Sequence, residues 1–301
     1  MEFRDIEYFA MLAEHGHMGR AAEALGLSQP ALSLSLRRLE RSIQAKLVKR
    51  TPKGVELTSA GSALLAQVHR LKLAREDVIR EVADLSEGRT GHLRIGANTG
   101  VQEALVGAAC AVLLRNSPSV TLKITVLAVD PLMAALRNGD VDFAVSGIPA
   151  TPSKDLVHEH LFKDEFVVYA SVKHRLAKRK QLTVADLAQE RWASTDSGVS
   201  VQGLYRAFEG HGLPLPRAAV SSNAASVRFR AVAGSDLLGF TAKGLLRQVA
   251  RQYGLVELSV KELSWQRSVG VIYREGGYLS PAAKRFIEIL KSTARDISKE
   301  N

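Results

Sequence analysis

The stretch SQPALSLSLRRLE, residues 28–40, carries side chains suited to reading the edges of bases. Wound at about 100° per residue, it brings Leu32, Leu36, Leu39 and Ile43 into one narrow apolar stripe. Opposite that stripe lie Pro30, Ser33, Leu34, Arg37 and Arg41, with Gln29 at the amino-terminal edge. Short polar groups at the start of the face permit close approach to a major groove. A glutamine amide can pair with an adenine edge, and arginines reach phosphates or guanine. Leu34 either meets a thymine methyl or packs against the hairpin that follows. Ser28 ahead of Gln29 and Pro30 reads as an N-cap, and a proline in the first turn costs nothing there because its missing N–H would be unpaired anyway.

Charge concentrates in the same place. Residues 29–53 carry Arg37, Arg38, Arg41, Lys46, Lys49, Arg50 and Lys53 against Glu40 alone, a candidate phosphate footprint. The whole chain of 301 residues has a formal charge of +10. That favours an anionic partner without choosing between nucleic acid and anionic metabolites.

No catalytic set emerges elsewhere. GANTG, residues 96–100, lacks both the G-x-G-x-x-G spacing and the Lys-Ser/Thr of a phosphate loop. His158 and His160 share a face of an expected strand with Glu159 between them, but no third metal ligand accompanies them. Neither a Ser/His/Asp order nor a nucleophile elbow is present. Cys110 is the single cysteine, so no disulfide can form within one chain, and among Ala108, Ala109 and Val112 it reads as a packing thiol. An enzyme is therefore not expected, and neither a cofactor nor a metal is implied. No signal peptide or membrane span is visible, and the chain reads as soluble and cytoplasmic.

The basic face must be held by a small head. Ile6, Phe9, Ala10 and Ala13 fall on one face of a first helix that Gly16 ends. RAAEALGL gives a short second helix closed by Gly26, and the capped helix follows. KLVKRTPKGVELTSAG reads as two short strands around Pro52-Lys53-Gly54, a wing tipped by lysine. Helix, tight turn and capped helix make a helix-turn-helix. From Thr58 to about Glu87, Leu64, Val68, Leu71, Arg75, Val78, Val82 and Leu85 form a heptad seam that wants a partner helix. Arg75 is expected to snorkel or to pair with an acidic residue such as Asp77 or Glu81 on that partner. SEGRTG, residues 86–91, is the expected domain break. Beyond it, strands and helices alternate, which indicates α/β architecture with a largely parallel sheet.

RAAEALGLSQPALSLSLRRLE followed by LVKRTPKGVELTSAG strongly resembles the LysR-type transcriptional regulators, and the resemblance extends over the whole chain. It implies a bacterial regulator with an α/β fold and an all-α winged helix-turn-helix amino-terminal domain. A long linker helix and a two-subdomain, periplasmic-binding-protein-like effector domain follow. The expected boundaries are 1–58 for the DNA-binding domain, 59–88 for the dimerising linker helix and 89–301 for the effector domain. Subdomain I takes about 89–162 and 268–301, subdomain II about 163–267. By the resemblance Gln29, Pro30 and Ser33 contact the major groove, while Arg50 and Lys53 serve the wing and the flanking backbone. One departure is Gly16-His17-Met18-Gly19, where the family often has Gly-Ser-Phe-Thr. The hydroxyls that commonly start the second helix are gone, and His17 is expected to be merely exposed. Gly107, Arg175 and Arg191 stand where proline is common.

In open α/β sheets a ligand lies beyond the carboxyl ends of strands, where helix amino termini supply free N–H groups. GANTG and STDSGVS sit at such positions, so Asn98, Thr99, Gly100 and Val101 would face Thr195, Ser197 and Gly198 around a small anion. Asn223 and Thr241 would line the remaining walls. The expected partners are an operator on double-stranded DNA, a small organic anion as effector, and a second copy through the linker helix. A homotetramer is the family habit, and the resemblance allows RNA polymerase as a further partner.

Overall fold

The computed structural model describes residues 2–52, 54–87, 91–98, 105–149, 151–195 and 199–299, the side chains of 69, 85–87 and 296–299 apart. The chain divides into two compact units, Met1–Val82 and Ala83–Asn301.

The first unit contains α1 (Phe3–His15), α2 (Met18–Ala24), α3 (Gln29–Ile43), the strands β1 (Val48–Thr51) and β2 (Gly54–Leu57), and most of α4 (Ser59–Glu87). Gly16 ends α1 at φ 62°, a left-handed conformation that glycine adopts without steric cost. The Ser28 hydroxyl accepts from the Ala31 amide at 3.3 Å and starts α3, with Pro30 in its first turn. Ile6, Phe9, Leu12, Ala21, Leu32, Leu36, Leu39 and Leu47 close one core beneath the helices. The hairpin is antiparallel from Val48 opposite Leu57 to Thr51 opposite Gly54, and the Val55 amide donates to the Gly16 carbonyl at 2.8 Å. The wing is thereby tied to the turn between α1 and α2. Gly61 lets α4 run close under the wing, since a Cβ there would lie 2.0 Å from the Leu47 carbonyl oxygen.

The second unit runs β3 (His92–Ala97), α5 (Gly107–Asn116), β4 (Thr121–Val126), α6 (Val129–Arg137), β5 (Phe143–Gly147) and β6 (Leu156–Ser171). It continues with β7 (Arg191–Ser194), α7 (Val199–Gly210), β8 (Arg217–Ser221), α8 (Ala225–Ala233), β9 (Leu238–Ala242) and α9 (Lys243–Tyr253). Last come β10 (Leu255–Leu258), β11 (Trp265–Arg274) and α10 (Pro281–Lys299). The strands join one sheet in the order β4-β3-β5-β11-β6-β9-β7-β8, with β10 also on β6.

That sheet is mixed, not largely parallel. Among the described residues β3 pairs in parallel with β4 and β5, and β7 with β8 and β9. Every pairing of β6 and β11 is antiparallel. The physical cause is that these two strands carry the chain out of one half of the sheet and back. β6 alternates Phe166, Val168 and Ala170 into one core and Val167 and Tyr169 into another, which explains its unbroken apolar run. The other half closes around Leu93, Ile95, Leu113, Phe143, Val271, Phe286 and Leu290. Two elements were not anticipated. α9 interleaves Lys243, Arg247 and Arg251 with the buried Leu245, Leu246 and Val249, and β10 has only 4 residues.

Candidate nucleic-acid interface and ligand cleft

On α3, Gln29, Pro30, Arg37 and Arg41 are exposed, as are Ser28 and, on β1, Arg50. Leu34 stands 59% exposed, which removes packing on the wing as its role. Ser33 departs from expectation. It is buried, because Arg50 Nη2 lies over it and donates to its hydroxyl at 3.3 Å. The 3.6-residue period places Ser33 on the outer face, but it could not show that a long wing side chain covers it. An open groove of ≈ 450 Å³ runs between α3 and β1, with Ser33, Arg37, Glu40, Lys46 and Arg50 among its walls. Lys53 lies outside the described residues.

Not all of the basic cluster is free for a partner. Asp5, on α1 and 1% exposed, accepts Arg38 Nε at 2.7 Å, Arg38 Nη2 at 2.5 Å and the Ser35 hydroxyl at 2.6 Å. The Arg38 guanidinium, outweighing burial, holds the Asp5 carboxyl below the ordinary carboxylate range. Burial opposes ionisation of Glu40, but Lys46 Nζ at 2.7 Å and the Leu47 amide at 2.9 Å prevail and keep its pKa low. Arg38 and Lys46 are thus spent on fixing α3 against α1 and the wing. Arg37, Arg41, Lys49 and Arg50 carry no ion pair among the described residues, and all are exposed.

His17 is exposed, yet it is more than a bare surface histidine. Its Nδ1 accepts from the Gly19 amide at 3.2 Å and N-caps α2. An imidazole nitrogen therefore does the capping that a hydroxyl does at this place in the family pattern, and the second helix keeps its start. Histidine is absent from the usual capping residues, so no sequence signal marked it.

The seam on α4 divides. Val68 is buried and Leu64 half-buried in the core of the first unit, while Leu71, Val78 and Val82 are 44%, 59% and 57% exposed. Ile79 extends the same bare strip at 56%. Arg75 does not need an acidic group from a second chain. It lies 3.7 Å from the Glu7 carboxylate and 5.4 Å over the Phe3 ring, both on α1, while Asp77 is paired with Arg80. The Leu85 side chain lies outside the described residues.

Strand register locates the cleft. The last residue of β5, Gly147, is opposite Val269, which is opposite Phe162 on β6. The last residue of β9, Ala242, is opposite Phe166. The carboxyl ends of the two sets of parallel strands therefore point at each other across four residues of β6, about 13 Å. The floor between them is Lys163-Asp164-Glu165 and Gln266-Arg267-Ser268. Asn98, immediately beyond β3, donates its amide to the Val145 carbonyl at 3.3 Å, and its side-chain Oδ1 is buried with no hydrogen-bond partner. The Ser146 hydroxyl is in the same condition.

Thr195 lies just past the end of β7 and Asn223 in the exposed turn before α8. Thr241 lies within β9 opposite Val167 and is buried. Thr99, Gly100, Val101, Ser197 and Gly198 lie outside the described residues. Sequence reading missed Ser146, Asp164 and Arg267. Arg267 Nη2 donates to Asp164 Oδ2 at 3.1 Å, its guanidinium stacks 4.6 Å from the Phe166 ring centroid, and its Nε is buried without a partner. The available signal was a single arginine leading into the apolar run SVGVI.

Glu159 accepts the Tyr273 hydroxyl at 2.6 Å and pairs with Lys291 at 2.8 Å. No group of His, Cys, Asp and Glu among the described residues could hold a metal ion. Cys110 is half-buried on α5, and burial pushes its thiol up, opposite to what a reactive thiol needs. No helix among the described residues is long and apolar enough to cross a membrane.

Comparison with known proteins agrees with this layout. Residues 3–62 match the bacterial regulatory helix-turn-helix protein of the lysR family, and residues 86–295 match the LysR substrate binding domain. The chain is 28% identical over 295 residues to the HTH-type transcriptional regulator CbbR of Rhodospirillum rubrum, covering 97% of this chain and 96% of that one. It is 30% identical over 288 residues to the SDS degradation transcriptional activation protein of a Pseudomonas species, covering 94% and 93%. Full-length CbnR, solved in complex with its target DNA, superposes with a TM-score of 0.61 at 19% identity, over 97% of this chain and 100% of that one. A helix-turn-helix segment followed in one chain by a substrate binding domain is the order that the two family matches give. The chain belongs to the LysR family of DNA-binding transcriptional regulators.

Proposed function

We propose that this regulator reads a specific operator through α3 and its wing, and responds to a small organic anion held between the two halves of its sheet. Residues 1–58 would read DNA, 59–88 would pair two copies, and 89–301 would bind the effector. On the DNA side, Gln29, Pro30 and Leu34 approach the bases, with Ser33 behind them beneath the Arg50 guanidinium. Arg37, Arg41, Arg50 and Lys53 meet phosphates or guanine, with Ser28 setting the start of the helix. In the cleft, Asn98, Thr99, Gly100 and Val101 oppose Thr195, Ser197 and Gly198, with Asn223 and Thr241 behind them. Two copies join through the bare strip on α4 and four assemble as a pair of dimers, acting in the cytoplasm and with RNA polymerase as a further partner.

The observation that carries the effector reading is the buried Asn98 Oδ1 without a partner at the mouth of β3. An unmet buried polar group costs about 1–3 kcal/mol, and a ligand that supplies a donor recovers it. For DNA, the carrying observation is that Arg37, Arg41, Lys49 and Arg50 are exposed and free of carboxylates. The deciding experiment is operator binding as a function of salt. Affinity falls steeply with ionic strength, and Arg41→Ala lowers the slope of log K against log salt by about 1. Salt-independent binding, or no binding to DNA from the regulator's own upstream region, overturns the reading.

A further inference from the structure

Away from the interface and the cleft floor, one buried charge lacks a counter-charge. Arg228, in the first turn of α8, is 5% exposed, and no carboxylate pairs with it among the described residues. Its guanidinium turns back over the start of its own helix, where Nη1 donates to the Ser222 carbonyl at 2.5 Å. Nε is buried with no hydrogen-bond partner. The Tyr169 hydroxyl is buried within side-chain hydrogen-bond reach of the guanidinium, and its own O–H finds no acceptor. Burial pushes the phenol well above its ordinary range, so it stays neutral and cannot balance the arginine. Tyr169 is held in place across Gly239, where a Cβ would lie 2.0 Å from its ring, and its ring meets Phe229 edge-on at 5.4 Å.

The start of α8 is also open. Its N-cap, Ala224, has no capping side chain, and the nearby Ser222 hydroxyl is used by the Ala224 amide at 3.2 Å. A guanidinium N–H, a phenol O–H and the first amides of a helix are all donors, and a buried cation of this kind is costly unless an opposite charge completes it. Fixed donors around a helix amino terminus match the several oxygens of one anionic group. We propose that Arg228, the Tyr169 hydroxyl and the uncapped start of α8 form an anion subsite that takes the carboxylate, sulfonate or phosphate of the effector. The proposal deepens the effector reading above and rests on it. The Ser222 amide donates to the Ser194 carbonyl at 3.0 Å, so the subsite adjoins the carboxyl end of β7, on the wall of the second half.

The test uses the full-length protein in chloride buffer at constant ionic strength, with thermal unfolding followed as succinate, sulfate or phosphate replaces chloride. The basic head takes up anions as well, so the comparison is between wild type and Arg228→Met, which keeps side-chain length and removes the charge. Wild type melts higher with at least one of the three anions, in a saturable manner. In Arg228→Met the half-saturating concentration rises roughly tenfold or more, as expected for a lost charge-assisted hydrogen bond. An equal response of the two proteins overturns the subsite, and so does a wild type that responds to none of the anions. Should Arg228→Met not fold, wild-type crystals soaked in selenate have to show an anomalous peak beside the guanidinium, and its absence overturns the subsite. Should no small organic acid change wild-type operator affinity, the underlying effector reading would fall instead.

Discussion

Asp5 shows how one residue orients the reading helix. Its carboxylate is buried on α1 and takes three hydrogen bonds from Ser35 and Arg38, both on α3. Because its folded pKa is depressed below the ordinary 3.8, the clamp contributes its full stability above that pH. The contribution fades as pH falls through the folded value. Asp5→Asn should cost about 1–2 kcal/mol, discounted because Arg38 is partly exposed. Hydrogen exchange of the α3 amides at neutral pH measures it. In wild type those amides should lose protection as pH falls below the ordinary carboxylate value of 3.8, whereas Asp5→Asn should lack that acid step. An unchanged acid step in the variant would assign it to other carboxylates. His17 makes a similar point without titration, since an N-cap can be formed by a nitrogen where a serine or threonine is customary.

At the scale of the element, α4 is two things in sequence. Its first turns belong to the core of the first unit through Leu64 and Val68, and its middle turns leave Leu71, Val78, Ile79 and Val82 bare. A bare strip of this spacing on a long helix is stable against a second helix and costly in water. Arg75 fits that division, because its pairing with Glu7 and Phe3 carries its charge away from the strip. Replacing Leu71 and Val78 together with glutamate places charges in the proposed contact. Sedimentation should then report a smaller particle with the head still folded, and operator affinity should fall because two half-sites are no longer read together. An unchanged mass would move the dimer contact elsewhere.

For the molecule as a whole, what matters is that β6 and β11 are shared by both halves of the sheet. A ligand touching Asn98 on one side and Thr195 on the other favours one opening of the halves over another. If that bias reaches the DNA-reading head, linkage requires symmetry. Effector must change operator affinity by the same factor by which operator DNA changes effector affinity. Titration calorimetry of wild type with an inducer found among small organic acids, with and without operator, measures both factors. Asn98→Ala should leave the unliganded protein as stable as wild type, since the lost oxygen had no partner. It should need roughly ten to a hundredfold more inducer, the value of one buried hydrogen bond. Equal inducer affinity in the variant removes Asn98 from the site, and a factor of one in both wild-type titrations means that effector and operator do not communicate at equilibrium.

Local chemistry was legible in the chain. Gly16, the Ser28 cap, Pro30 and the stripe from Leu32 to Ile43 depend on neighbours within a few residues, so spacing alone placed the three helices, the wing and the exposed reading face. Alternation of strands and helices likewise announced the α/β unit. What the sequence could not decide was pairing between groups far apart in the chain. Arg38 counted as a free cation until Asp5, more than thirty residues earlier, was seen to hold it. Ser33 counted as exposed until Arg50 was seen to cover it. The antiparallel crossing strands, the meeting of the β5 and β9 ends, and the unmet atoms of Asn98, Ser146, Arg267 and Arg228 all arise from long-range packing. Periodicity reports which face of an element is apolar; only the folded chain decides which polar atoms end up buried there and whether anything answers them.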